Sequence, residues 1–339
     1  MRTVTERMLN QVQRPEAYRE DVIASAGAPV VLSVWGGSPG ACAVVFLPGT
    51  MTHPLFYEEF LDALNLAGHT VVGVHSQGHG KSPRVRRPLT FQALVTNARD
   101  AVAWTRACFP GRPLVVLGSS QGGIVAMALA GAGEGLDGVI AHNILDPSLP
   151  STIEITRFPS WLGRAYPAVR AAFRVGGRLL PRAPVPFDAY LDIHRVARDP
   201  KNARYFYTDP LGLRAYPLGF MASLFAADLT GMTDGSITCP VTVVAARGDP
   251  LFPLTYTQQV YERIAAPRKE LLVLESDVHL LFNEDLEVVL PPLLARLESL
   301  RTTASATTPA RLAPPDIAGR ARWHVPVSPS TTPSASTAR

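Results

Sequence analysis

The run PLVVLGSSQGG, residues 113–123, sets Ser120 between Gly118 and Gly122, after an apolar β-branched stretch and before the helical-looking IVAMALAG. A strand that turns sharply into a helix has no room for side chains on either side of the turn. Gly-x-Ser-x-Gly in that setting is a nucleophile elbow. A serine hydroxyl attacks poorly at neutral pH unless a base takes its proton, a third group holds the base, and donors await the oxyanion. The elbow supplies position. Ser120 is expected in strained geometry above the C-terminal edge of a sheet, with the Gln121 N–H, at the start of the next helix, as an oxyanion donor. The competing reading is a Gly/Ser-rich turn that positions nothing. A phosphate-binding loop is disfavoured, because no Lys-Ser or Lys-Thr follows at Walker spacing.

A base must come from the C-terminal end of another strand, where open α/β sheets bind their ligands. Of the eight histidines, at 53, 69, 75, 79, 142, 194, 279 and 324, only His279 and His324 lie beyond the late strands, and His324 sits in a Ser/Thr/Pro-rich tail. His279, in SDVHLLF directly after ELLVLES, is the expected base. Sheets with this elbow order their triad as serine, acid, histidine. Asp249 in ARGDPLFP, after PVTVVAA and stiffened by Pro250 and Pro253, is the expected acid. Asp146 in HNILDPS is its rival, and otherwise a turn or cap residue. Asp277 is too close to His279 along the chain to orient the ring and reads as a turn former. A second oxyanion donor is expected from FLPGTMTHP, where the Thr50 N–H leads and Met51 is second. His53, nearby, reads as a structural or pocket-lining residue.

These side chains need a scaffold. DVIASA and PVVLSVW flank Gly27-Ala28-Pro29 as a hairpin. ACAVVFLPG, TVVGVH, PLVVLG, LDGVIAHNI, PVTVVAA and ELLVLES read as buried strands, and residues 91–109, 122–130, 256–264 and 283–300 as helices. Strand–helix alternation implies a mostly parallel, doubly wound α/β sheet. The rhythm breaks over residues 147–232, where helical pieces and prolines occur without a clear strand, so a helical cap is expected there, inserted after the sixth strand. The expected organisation is a poorly packed lead-in over 1–16, an α/β core over 17–146 and 233–301, the cap over 147–232, and a disordered Ser/Thr/Pro/Ala-rich tail over 302–339.

FLPGT, HSQGHGKS, GSSQGG, ARGDPLFP and SDVHLLF, in this order and spacing, resemble the α/β-hydrolase fold superfamily, capped and esterase- or lipase-like, from about Val30 to Leu300. The resemblance implies Ser120 as nucleophile, Asp249 as acid, His279 as base, and Thr50 and Gln121 as oxyanion-hole positions. Two departures stand out. Pro48-Gly49 replaces the family's frequent His-Gly, and His75 replaces the usual aspartate of an Asp-x-x-Gly-x-Gly turn. Serine at the elbow argues against the family's dehalogenases and epoxide hydrolases, which use aspartate there.

The bulk properties fit this reading. The 339 residues are 47% hydrophobic and 18% charged, as in a globular protein with a core. The net charge of +4 comes without a basic helix or zinc spacing, so nucleic acid is not an expected partner. Cys42, Cys108 and Cys239 show no pairing or metal pattern and read as buried thiols of a reducing compartment. With no apolar leader and no membrane-length apolar run, the expected location is the cytoplasm. No cofactor or metal is expected. Residues 151–214 hold eleven basic and five acidic residues, interleaved with Trp161, Leu162, Phe173, Leu179 and Leu180. Such a lid suits a lipid-like or medium-chain acyl substrate and a weak contact with anionic lipid surfaces. The competing reading is a solvated arginine face over an ordinary core. The expected reaction is hydrolysis of a carboxylic ester through an acyl-enzyme. Amide, thioester, lactone or C–C cleavage and acyl transfer would use the same machinery, and a non-catalytic binding module on this scaffold is the different-class alternative.

Overall fold

The computed structural model describes residues 10–307. Its strands are β1 (Tyr18–Ser25), β2 (Ala28–Trp35), β3 (Ala43–Leu47), β4 (Thr70–His75), β5 (Leu114–Ser119), β6 (Gly138–His142), β7 (Pro184–Pro186), β8 (Ala215–Pro217), β9 (Val241–Ala246) and β10 (Lys269–Leu274). Its helices are α1 (Glu58–Leu66), α2 (Phe91–Cys108), α3 (Gln121–Gly131), α4 (Tyr166–Leu179), α5 (Ile193–Val196), α6 (Pro200–Thr208), α7 (Leu218–Phe225), α8 (Thr230–Thr233), α9 (Leu254–Arg263), α10 (Leu281–Glu284) and α11 (Leu286–Thr307).

Eight strands form one sheet in the order β1-β2-β4-β3-β5-β6-β9-β10. β1 pairs antiparallel with β2, and β2 with β4; every other neighbour is parallel. Parallel strands covered on both faces must be apolar throughout, which is why β3, β4, β5, β6 and β9 are buried along their whole length. α2 packs on α3 and α1 on α11, so the sheet is covered by helix pairs. The C-terminal ends of β3, β5, β6, β9 and β10 then open onto the same edge, and each is followed by one of the expected loops.

Between β6 and β9 the chain leaves the sheet and builds α4 to α8. It also forms a small antiparallel ribbon of β7 and β8, which the sequence reading of a purely helical insertion did not anticipate. Pro184, Pro186 and Pro217 hide that ribbon, because proline inside a three-residue strand removes the usual alternation signal. Two further expectations need correction. The lead-in is not loose over residues 10–16. Arg14 donates to Asp62 Oδ1 at 2.8 Å and Asn65 Oδ1 at 2.6 Å, the Gln13 N–H to Glu58 at 2.8 Å, and Asn10 to Asp209 at 2.8 Å. The final helix also runs to Thr307, past the expected boundary at 301, and breaks near Asp285 into α10 and α11. The remaining tail, with His324, and residues 1–9 lie outside the described residues. Cys42 and Cys239 are buried free thiols as expected, but Cys108 is exposed at the end of α2. Among the described residues no helix is long and apolar enough to cross a membrane.

Candidate active site

The elbow forms where β5 meets α3. Ser120 has φ 51° and ψ −111°, a conformation that costs an L-residue about 1–3 kcal/mol and persists only where its surroundings enforce it. The Ser120 N–H donates to the His142 carbonyl at 2.7 Å, and the Ser120 carbonyl accepts from Gly123 at 2.8 Å. The flanking glycines are required by contact. A Cβ at Gly118 would lie 2.2 Å from the Gly122 carbonyl oxygen, and one at Gly122 only 1.9 Å from that of Leu47. Ser120 is left half-buried at the mouth of the cleft.

Across the sheet edge, His279 Nδ1 donates to Asp249 Oδ2 at 3.0 Å. That bond places the proton on Nδ1 and leaves Nε2 as the acceptor, the tautomer a general base requires. His279 and Ser120 line the same cleft, with Gly49, Thr50 and Leu280. No direct hydrogen bond joins them among the described residues; such bonds are often long before substrate binds. Phe252 stacks on the imidazole at 5.5 Å and 8°, which fixes the ring plane.

Asp249 is fully satisfied. Oδ1 accepts from the Leu251 and Phe252 N–H groups at 2.8 and 2.9 Å, and Oδ2 from His279 and from Asn143 Nδ2 at 2.7 Å. Burial by itself would raise its pKa, but the His279 charge and these donors hold the carboxyl below its ordinary value. Asp146 does not reach this site. It caps its own turn through Ser148 and pairs with Arg263 at 3.2 Å. Asp277 is exposed and paired with Arg198.

The loop after β3 shows which N–H is available. Gly49 N–H donates to Tyr57 Oη at 3.3 Å, Met51 N–H to Tyr216 Oη at 2.9 Å, and Thr52 N–H to the Gly49 carbonyl at 3.2 Å. Among the described residues neither the Thr50 N–H nor the Gln121 N–H has an acceptor. Met51, the second candidate, is therefore committed to Tyr216 of the insertion. Tyr216 is itself fixed, since His79 donates from Nδ1 to the Gln77 carbonyl at 3.0 Å and accepts the Tyr216 hydroxyl on Nε2 at 2.8 Å. His53 pairs in the interior with Asp209 of the insertion at 2.7 Å, a structural contact. His75 makes bonds with Ser33 and the Lys81 N–H.

Asn143 and Tyr216 were not anticipated. Asn143 lies directly after β6 at φ 58°, and its amide bridges Asp249 Oδ2 and His142 Nε2, the latter at 3.0 Å. A signal existed: asparagine tolerates the left-handed region at a strand end. Nothing local marks Tyr216, whose role depends on a fold-back of more than a hundred residues.

His79 and His142 are pushed down by burial to about 4 and about 3, and burial also holds His75 well below the ordinary value. Unfolded histidine titrates near ~6.5, so between that pH and the folded values the unfolded chain binds protons that the native state refuses. Stability must fall as pH drops through this window, by up to about 1.4 kcal/mol per pH unit for each such histidine. Urea midpoints should decrease steadily from pH 7 to pH 5; equal midpoints across that range would contradict the neutral, buried state.

From Ser120, Thr50 and Gln121 a cavity extends under the insertion, lined by Ile124, Leu145, Ile155, Met221, Phe225 and Phe252 among others. Two N–H groups without acceptors, a hydroxyl, an oriented imidazole and an apolar cavity are the parts that acyl transfer requires.

A family model described as serine aminopeptidase, S33 (Hydrolase_4), matches residues 39–286. A monoacylglycerol lipase of Mycolicibacterium smegmatis is 26% identical over 263 residues, spanning 76% of this chain and 88% of the relative. Among solved structures, the monoacylglycerol lipase of Paleococcus ferrophilus superposes with a TM-score of 0.64 at 20% identity, over 80% of this chain and 98% of that one. A soluble variant of monoglyceride lipase from Saccharomyces cerevisiae, in complex with a substrate analog, gives 0.61 at 15% identity, over 90% and 99%. At these identities the structural likenesses show the fold.

Proposed function

Since the chain belongs to the serine aminopeptidase S33 family of α/β hydrolases, we propose that it is a serine hydrolase cleaving carboxylic esters of medium-chain or lipid-like acids through an acyl-enzyme. Ser120 attacks the ester carbonyl while His279 Nε2 takes its proton. The oxyanion is met by the Thr50 and Gln121 N–H groups. His279, held by Asp249, then protonates the departing alcohol, and water repeats the cycle on the acyl-enzyme.

The observation that carries this reading is the apolar cavity that begins at Ser120 and the two oxyanion donors. The leaving oxygen must lie within reach of His279, so the cleft shared by Ser120 and His279 is the alcohol side. The larger cavity, which His279 does not line, is then the acyl side. Aminopeptidase activity, the family's descriptive name, needs a carboxylate to bind the substrate's free ammonium. Neither cavity is lined by an Asp or Glu among the described residues, which favours the ester.

The insertion acts as a cap, since Tyr190, Leu191, Met221, Leu224 and Phe225 all come from it. Its outer side exposes Trp161, Val175, Leu179 and Leu180, at 64%, 54%, 74% and 63%, beside exposed Arg164, Arg174 and Arg178. That mixture suits weak contact with an anionic lipid surface. The free thiols fit a cytoplasmic location. One experiment tests substrate and surface together: a p-nitrophenyl ester series, with and without vesicles containing an anionic phospholipid. kcat/KM should rise from acetate to medium chains by at least about tenfold, as each well-buried methylene contributes ~0.8 kcal/mol. Anionic but not neutral vesicles should retain the protein. A series that peaks at acetate would rule out the acyl cavity, and equal retention by both vesicle types would rule out the basic cap face.

A further inference from the structure

The acyl cavity is apolar apart from Thr50, Ser120, Gln121, Thr156 and Tyr190, and the last of these stands apart. Tyr190 lines it from the insertion, is 5% exposed, and its hydroxyl is buried with no hydrogen-bond partner among the described residues. The other polar lining groups are occupied or belong to the chemistry. Thr156 Oγ1 donates to the Ile153 carbonyl at 2.7 Å and accepts from the Phe158 N–H at 3.1 Å. Thr50 Oγ1 donates to Gln121 Oε1 at 3.2 Å. Of the residues lining either cavity that reaches Ser120, Tyr190 alone carries a buried, unpartnered polar side-chain atom among the described residues.

A buried hydroxyl without a partner is costly, and phenylalanine would fill the same space without that cost. Burial pushes the Tyr190 phenol well above its ordinary value, so it stays a neutral O–H, able to donate to a carbonyl or to exchange with a hydroxyl. The Tyr190 backbone is held at both ends: its N–H donates to the Phe187 carbonyl at 3.1 Å and its carbonyl accepts from the Arg157 N–H at 2.8 Å.

We propose that Tyr190 is a specificity-determining residue that hydrogen-bonds an oxygen carried by the acyl chain, so that the preferred substrates are esters of hydroxy or oxo acids rather than of plain fatty acids. This rests on the ester-hydrolase reading and on the assignment of the larger cavity to the acyl group. A site built around a hydrogen-bonding group discriminates against the analogue that lacks the partner, whereas an apolar slot discriminates only by size.

The test is kcat/KM of the wild type and Tyr190→Phe on matched p-nitrophenyl esters: octanoate against octanoates bearing a hydroxyl or a ketone at successive chain positions. In the wild type, an ester whose oxygen falls at the right position should exceed octanoate. Tyr190→Phe should lower that ester by about fivefold or more relative to octanoate, the worth of one hydrogen bond. A variant that slows every ester equally would make Tyr190 a structural residue and overturn the proposal. So would one that changes none of them. Turnover of plain octanoate by the wild type stands or falls separately, so failure of the hydrolase reading is distinguishable from failure of this one.

Discussion

Ser120→Ala is expected to abolish labelling by a fluorophosphonate probe and to lower kcat on a medium-chain ester by about 10⁴–10⁶-fold. The magnitude follows from what remains. The Thr50 and Gln121 N–H groups and the apolar cavity survive the substitution, so the ester still binds near preformed donors, but nothing forms the covalent bond. The protein should stay folded. The Ser120 side chain caps nothing in α3, and the sharp turn is held by backbone bonds to His142 and Gly123. Ser120→Gly makes the complementary case. It is equally inactive, yet it removes the Cβ from a residue at φ 51° and should raise the melting temperature relative to Ser120→Ala. Residual labelling of either variant would mean that another residue is the nucleophile. A glycine variant less stable than the alanine one would mean that the elbow is not strained.

The parts of this site legible in the sequence are those fixed by local chemistry. Gly118, Ser120 and Gly122 announce an elbow because three neighbouring positions obey one steric rule. Asp249 and His279 follow because β9 and β10 are apolar runs that end in loops on one sheet edge. The wholly buried parallel strands were legible for the same reason. Missed features depend on contacts between distant segments. In HNILDPS the charged residue is Asp146, and the apolar run LDGVIAHNI reads as strand through Asn143. The chain instead turns at Asn143, and this amide, not the acid three residues later, faces Asp249. The lead-in looked polar and loose, but Arg14 finds Asp62 and Asn65 on α1, partners that composition cannot reveal. The pairing of Tyr216 with His79 and the Met51 N–H, and of Asp209 with His53, likewise ties the insertion to the loops after β3 and β4 through bonds spanning 137 to 165 positions. The loop that holds Thr50 is thus braced from the insertion, and the two cannot be read separately.

The choice between the two strand-end aspartates yields the second large effect. Asp249→Asn should lower kcat by about 10⁴-fold, and Asp146→Asn by little. The reason is the direction of the hydrogen bonds. Asp249 Oδ2 accepts from His279 Nδ1, so an amide there can present its N–H₂ to that nitrogen, which stabilises the opposite tautomer and puts the proton on Nε2, where the base must be free. The neighbouring donors sharpen the effect. Leu251 and Phe252 N–H groups claim Oδ1, and an asparagine placed to keep them satisfied must turn its nitrogen toward His279 and Asn143, both of which donate. The amide cannot flip out of the conflict without orphaning two buried N–H groups. Asp146 faces Ser148 and Arg263, away from the imidazole, so its amide variant should lose some stability through the weakened pair while kcat stays within about threefold. Asn143→Ala lies between these extremes. It removes one of the four donors to the Asp249 carboxylate but leaves His279 its acceptor, so kcat should fall far less than in Asp249→Asn. Kinetics of the three purified variants, with circular dichroism to confirm folding, decide the matter. A large loss in Asp146→Asn with near-normal turnover in Asp249→Asn would move the acid to the end of β6 and dismantle the triad proposed above.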